Sequence, residues 1–164
     1  MPAAGKIAPV RKSIRVAVPR GRAFEVFTTG MHRWWPLEHS ILKAPRAAIT
    51  AEPRVGGRWF ERAIDGTECT LGRVLAWDPP ERVVLTWQLN ADFAYDPDFV
   101  TEVEIRFTSE GDNATRVDLE HRNLERYGER AETIRPMLDS PQGWGLCLAG
   151  FAAVVEGVSS SAAS

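Results

Sequence analysis

Polar and apolar positions along this chain change period twice, and the changes mark out its elements. Val10, Ile14, Val16 and Val18 fall on one side of an alternating segment, with Lys12 intruding, while Arg11, Ser13 and Arg15 take the other. Period-two alternation predicts a half-buried strand. Pro19 then suits the start of a helix, and Ala23, Phe24, Val26 and Phe27 supply one apolar side over two turns. Gly30 ends that helix, and Trp34-Trp35-Pro36 closes a second short helical or turn segment.

From Ala47 to Arg122 the signals are strand and turn. Gly56-Gly57 separates Ala48–Arg54 from Arg58–Ile64, and Asp65-Gly66 is a two-residue hairpin signal. With a two-residue loop, Ile64 opposes Thr67, Phe60 opposes Leu71 and Trp59 opposes Gly72. One face then carries Phe60, Arg62, Cys69 and Leu71, and the other Trp59, Glu61, Thr70, Gly72 and Val74. Both faces are mixed, so the pattern does not say which of them is concave. Asp78-Pro79-Pro80 interrupts the next pair, because prolines cannot sit in a central ladder. Val83, Leu85, Trp87 and Leu89 alternate with Val84, Thr86 and Gln88, Val103, Ile105 and Phe107 with Glu102, Glu104 and Arg106, and, after Gly111-Asp112-Asn113, Val117, Leu119 and His121 with Arg116, Asp118 and Glu120. Six consecutive strands with short turns predict an antiparallel meander.

After Pro141 the period switches. Trp144, Leu148, Phe151 and Val155 recur at helical spacing, and Cys147, Ala152 and Val154 widen the stripe until almost no polar face remains. Such a helix needs cover on most sides, and the concave face of the sheet is the expected partner. The charged run Arg122, Glu125, Arg126, Glu129, Arg130 and Glu132 alternates in sign and reads as a solvated surface segment.

Several motifs stand in a joint order: Trp34-Trp35-Pro36, Gly56-Gly57, Asp65-Gly66, Gly72-Arg73-Val74 leading into Asp78-Pro79-Pro80-Glu81-Arg82, Thr86-Trp87, and Gly143-Trp144. In that order and spacing, over about residues 10–158, the chain resembles the START/Bet v 1-like (SRPBCC, helix-grip) superfamily. More narrowly it resembles the activator of heat-shock protein 90 ATPase homologue-like family. The resemblance implies an α+β helix-grip fold, a curved antiparallel sheet wrapped round a long C-terminal helix with a cavity between. Members of the superfamily use that cavity for lipids, sterols, polyketides or other apolar molecules, and a few subfamilies carry out cyclisation, dehydration or hydrolysis there. The eukaryotic co-chaperones carry a further N-terminal domain for which this chain has no room, so a chaperone partner is only weakly implied.

Composition narrows the classes. The chain has 164 residues with 20 basic and 22 acidic side chains, a formal charge of −2. That balance gives no basic footprint for nucleic acid. A chain of this length can bury roughly 70% of its unfolded surface and needs no disulfide or metal staple. Residues 10–158 are expected to form one domain, with 1–9 and 159–164 as flexible ends. Cys69 and Cys147 lack metal-ligand spacing and read as a reduced pair, Cys147 as an inert thiol in an apolar helix interior. No signal peptide or membrane-length apolar run occurs, so a cytoplasmic protein is expected. His32, His39 and the acids Asp92, Asp96 and Asp98 match no metal motif, and no cofactor-binding glycine loop is present. The sequence fixes no oligomeric state.

The odd number is tryptophan, six against two tyrosines. Ligand cavities are apolar and aromatic with a few convergent polar groups. Trp35, Trp87 and Trp144 with Leu148 and Phe151 are the candidate walls, and His121, at the end of an apolar strand face, is the candidate polar contact. Glu61 or Arg62 is a further candidate for orienting a ligand's polar end. Binding of a hydrophobic or amphipathic small molecule is the first reading. The alternatives are a cyclase-like enzyme with His121 as acid–base, and a chaperone-associated or stress-response protein acting through its outer surface.

Overall fold

The computed structural model describes residues 7–35, 46–141 and 143–156. Pro36, His39, residues 1–6 and the tail from 157 onward lie outside the described residues, and with them most of the ends expected to be flexible. Strand β1 (Val10–Val16) leads into helix α1 (Arg20–Phe27) and a 3-10 turn, Met31–Arg33. Six strands follow: β2 (Arg46–Ala51), β3 (Arg58–Ala63), β4 (Glu68–Asp78), β5 (Arg82–Trp87), β6 (Thr101–Ser109) and β7 (Thr115–Arg122). A 3-10 segment, Leu124–Arg130, helix α2 (Ala131–Asp139) and helix α3 (Trp144–Val155) complete the described residues.

The strands form one seven-stranded antiparallel sheet in the order β1-β7-β6-β5-β4-β3-β2. The β1 strand therefore closes against the last strand, Val10 opposite His121, while α1 carries the chain across to the far edge. Together with α3 this is the helix-grip architecture. The predicted alternation places Val83, Leu85 and Trp87, Val103, Ile105 and Phe107, and Val117, Leu119 and His121 in the interior. The α3 stripe of Trp144, Cys147, Leu148, Phe151 and Val155 is buried with them. Phe151 meets Phe27 of α1 with ring centroids 5.0 Å apart. At Gly150 a Cβ would lie 2.8 Å from the Trp34 carbonyl oxygen, so glycine lets that backbone approach the helix. The helix is covered less completely than its sequence suggests: Ala149 and Ala153 face outward, where a lone methyl costs little.

Two expectations need correction. The β3–β4 hairpin keeps Trp59 opposite Gly72, but Phe60 pairs with Thr70 and Glu61 with Cys69. The loop holds three residues, Ile64 to Gly66, with Gly66 at φ 90°, and the Ala63 N–H bonds the Thr67 carbonyl at 2.8 Å. A three-residue loop with a left-handed glycine shifts the register by one, and a bulge at Leu71 restores it. Cys69 thus joins Trp59 and Glu61 on one face and Thr70 leaves it.

The charged run after β7 is not only a surface segment. Its charges do face outward, but Leu124, Tyr127, Ala131, Ile134 and Leu138 recur at three and four and are buried, forming the 3-10 segment and α2. At the N-terminus, Arg135 of α2 donates to the carbonyls of Ala8 at 2.7 Å and Pro9 at 3.0 Å. Lys12, the polar intruder on β1, reaches Asp139 of α2 at 2.8 Å.

Candidate functional site: a ring of tryptophans

Each tryptophan of the site is placed by the element that carries it. Alternation turns Trp87 inward at the end of β5 and Trp59 inward on β3, two residues before Glu61. The turn after α1 delivers Trp34 and Trp35, and Trp144 opens α3. Trp35 lies 5.7 Å from Trp59, Trp59 6.0 Å from Trp87, Trp87 5.6 Å from Trp144, and Trp144 5.9 Å from Trp35, centroid to centroid. Four buried indoles from four separate segments thus close a ring between sheet and helix. The pairs are edge-on or tilted, the arrangements that the aromatic quadrupole favours. Trp34 attaches to Trp35 at 5.7 Å and donates its N–H to the Val26 carbonyl at 2.9 Å.

His121 is fully buried beside the ring, its centroid 5.3 Å from Trp87 and 5.8 Å from Trp144. The Trp144 indole N–H donates to His121 Nδ1 at 3.1 Å. Indole nitrogen only donates, so Nδ1 carries no proton and Nε2 does. That proton goes to Thr101 Oγ1 at 2.9 Å, and the Thr101 hydroxyl donates to the Trp87 carbonyl at 3.0 Å. The chain of bonds has one direction and ties α3 to β7, β6 and β5. Burial pushes the His121 pKa down to about 3, so the imidazole is neutral at ordinary pH. Protonation would turn Nδ1 into a second donor facing the Trp144 N–H.

Two further bonds hold the ring. Trp87 Nε1 donates to the Tyr127 hydroxyl at 3.1 Å, which donates to the Leu89 carbonyl at 2.9 Å. Burial pushes the Tyr127 phenol up to about 12, against the opposing pull of the Trp87 bond. Trp59 Nε1 points to Met31 Sδ at 3.2 Å. Glu61, on the same strand face as Trp59, is fully buried. Its partner across the strands is Cys69, whose thiol is raised by burial and by the Glu61 charge. Burial takes the Cys147 thiol up to about 12, an unreactive group in the helix interior.

Of the six residues singled out in the sequence, the structure brings Trp35, Trp87, His121 and Trp144 together. Leu148 is buried one turn further along α3, and Phe151 packs on Phe27 and Trp34 instead of the ring. Arg62 is exposed. Trp77 stands apart, packed on Phe24 of α1 at 5.1 Å. Sequence reasoning left the face of Trp59 unassigned and missed Thr101 and Tyr127. Both had a signal: Thr101 extends the inward alternation of Val103 and Ile105, and Tyr127 lies on the apolar stripe that runs to Leu138. Among the described residues no three His, Cys, Asp or Glu gather as a metal site, and no helix is long and apolar enough to cross a membrane.

A curved sheet gripping a helix over an aromatic interior defines the class. Within it, the chain belongs to the family described as activator of Hsp90 ATPase homolog 1-like proteins, whose model matches residues 17–156. Among solved structures it is similar to an anthrahydroquino-gamma-pyrone synthase, Txn09, solved in complex with SUM. The two share 43% identity over 94% of this chain and 99% of that one, at a TM-score of 0.63. CalC, a self-sacrificing resistance protein from Micromonospora echinospora, shares 32% identity over 91% and 94% of the two chains, with a TM-score of 0.66. The Aha1 dimer from Colwellia psychrerythraea shares the fold, at 14% identity over 92% and 97% and a TM-score of 0.61. No curated protein matches the sequence.

Proposed function

We propose that this protein binds a flat, hydrophobic or amphipathic aromatic molecule against the tryptophan ring between sheet and α3. The observation that carries the reading is the closed ring of Trp35, Trp59, Trp87 and Trp144. A globular core does not need four indoles meeting at one place. Indole faces recognise fused aromatic rings by area and quadrupole without demanding one hydrogen-bond pattern. The 43% identity to a synthase of an anthrahydroquinone-fused pyrone supports polycyclic aromatic, polyketide-like ligands over linear lipids.

Tryptophan fluorescence during titration with 2,6-dihydroxyanthraquinone tests it. At about 0.4 kcal/mol per heavy atom, such a ligand binds with a Kd on the order of 10 μM. One equivalent should quench the indoles saturably, and Trp87→Phe should weaken binding about tenfold. Palmitate should compete poorly. Absence of saturable quenching, or equal affinity for palmitate, would sink the reading. Native mass spectrometry of the freshly purified protein supplies an independent check through any co-purifying aromatic molecule.

The same relative favours a second reading, ring closure on such a ligand. His121 is a poor acid–base group for it, because both ring nitrogens are already engaged and burial keeps the imidazole neutral. The 14% likeness to the Aha1 dimer is a likeness of fold and carries no chaperone role here.

A further inference from the structure

Neighbouring indoles of the ring stand within 6.0 Å of each other, centroid to centroid. An aromatic layer between two of them needs about 7 Å, twice a carbon contact distance. A molecule that stacks between these indoles therefore needs a wall to move. Between Trp87 and Thr101, which pair across β5 and β6, residues 88–100 leave the sheet and fold back on themselves. The Asp96 N–H donates to the Gln88 carbonyl at 2.9 Å and the Asn90 N–H to the Ala94 carbonyl at 2.9 Å. The Asn90 side-chain oxygen accepts the Asp92 and Ala94 N–H groups, and Leu89 and Tyr95 form a single bridge. The result is a short flap with its own hydrogen bonds, rooted at one residue of the ring and one of the His121 relay. Phe93 near its tip sits at φ 58°, a left-handed conformation that strains a bulky side chain. Phe93, Tyr95 and Phe99 are partly buried against the core, so the flap sets aromatic surface at the edge of an aromatic site.

Tyr127 joins this flap to the ring. Its one hydroxyl proton goes to the Leu89 carbonyl at 2.9 Å, and its oxygen accepts the Trp87 N–H at 3.1 Å. Phe99 lies against its ring with centroids 4.6 Å apart. Farther out, Arg130 reaches the Ala91 carbonyl at 3.4 Å and Asp92 at 3.7 Å, contacts that water screens. Trp144 is held differently. Its N–H runs through His121 and Thr101 into paired strands, and freeing it means pulling α3 from the sheet.

We infer that residues 88–100 open as a flap at the Trp87 end of the ring, with Tyr127 as the latch and as the positioning residue that ties flap closure to the setting of the Trp87 indole. Opening breaks two neutral hydrogen bonds and one ring contact, releases the strain at Phe93 and leaves the seven-stranded sheet intact. As a ligand's route it rests on the binding reading above; as a motion of the free protein it does not.

Hydrogen exchange and binding kinetics test the two parts separately. In ligand-free 15N-labelled wild type, the Trp87 indole N–H and the Asn90 and Asp96 amides should show protection within about threefold of one another, unmoved by low urea. The Trp144 indole N–H should be protected at least about tenfold more. In stopped-flow mixing with 2,6-dihydroxyanthraquinone, Tyr127→Phe should raise the association and dissociation rate constants together, each about tenfold, the combined size of two neutral hydrogen bonds. Kd should stay within about threefold, because the free and bound closed states lose the same bonds. A hydroxyl that only shapes the ring would raise the dissociation rate constant alone. An unchanged association rate constant in Tyr127→Phe, Trp87 protection equal to that of Trp144, or exchange of Trp87 apart from the flap amides would overturn the assignment and leave the binding reading standing. If wild type does not take up the anthraquinone, the binding reading falls and the exchange pattern still decides the flap. The same pattern decides it should Tyr127→Phe fail to fold.

Discussion

Strands β6 and β7 carry a polar network on each face, one residue apart in sequence and opposite in character. Inside, Thr101 and His121 join Trp144 and the Trp87 backbone through neutral hydrogen bonds with every N–H and O–H donor used. Outside, their chain neighbours Glu102 and Arg122 bond at 2.8 Å, and Arg122 also reaches Glu104 at 2.6 Å. Glu104 takes Arg82 at 2.7 Å and Arg106 at 2.8 Å as well. Burial raises the Glu104 carboxyl, but hydrogen bonds from Arg122 and Arg82 and the Arg106 charge outweigh it and hold the group low. On the inner face of these two strands the sequence uses neutral groups with fixed donors. On the outer face it uses charges, and the one carboxylate there that is nearly buried, Glu104, is offset by three arginines while the pairs at the rim are solvated and worth little each. Only the inner network touches the candidate site.

The comparison breaks most readily at His121. His121→Leu leaves the Trp144 N–H without its acceptor and Thr101 without its donor, and should cost about 2–4 kcal/mol in urea unfolding. A loss under about 1 kcal/mol would mean the inner bonds do not hold α3. Acid sharpens the same point. His121 titrates near 6.5 when unfolded and near 3 when folded, so between those pH values the unfolded chain binds the extra proton. Wild type should therefore lose stability relative to His121→Gln as pH falls through that window, by an amount on the order of a few kcal/mol. Parallel pH–stability curves for the two proteins would contradict the neutral, buried imidazole.

On the outer face, Glu104→Gln should cost about 1–2 kcal/mol and lose part of that cost in high salt. The stabilisation from Glu104 is present above the ordinary carboxylate range and disappears as pH falls through its lowered folded value. A penalty exceeding that of His121→Leu would reverse the ranking of the two faces. The smallest effect belongs to Arg11, whose pair with Glu120 at 3.2 Å is largely exposed. Arg11→Ala should change stability by less than about 0.5 kcal/mol in the same assay.

The sheet was legible because the inner and outer faces of β6 and β7 differ so sharply in polarity that alternation alone assigns them. The β3–β4 pair was not. Its faces mix Trp59 with Glu61 and Phe60 with Arg62, and a glycine loop plus the bulge at Leu71 shift the register by one residue and back. Helix α2 was obscured by its charges, although its apolar positions kept helical spacing. The tryptophans could be assigned to elements, but their closure into a ring depends on the turn after α1 reaching both β3 and α3. The His121 relay was illegible for a similar reason. Thr101, His121 and Trp144 lie on three elements, and only the sheet register and the helix docking bring their atoms within hydrogen-bond distance.

The central claim is that the ring of Trp35, Trp59, Trp87 and Trp144 is where a flat aromatic molecule binds. Indole-15N-labelled protein titrated with 2,6-dihydroxyanthraquinone tests it most directly, because all six tryptophan N–H resonances can be followed at once. The account predicts that the signals of the four ring tryptophans move or broaden together while Trp77, packed against Phe24, stays in place. Shifts centred on Trp77, or none at the four ring indoles at saturating ligand, would contradict it.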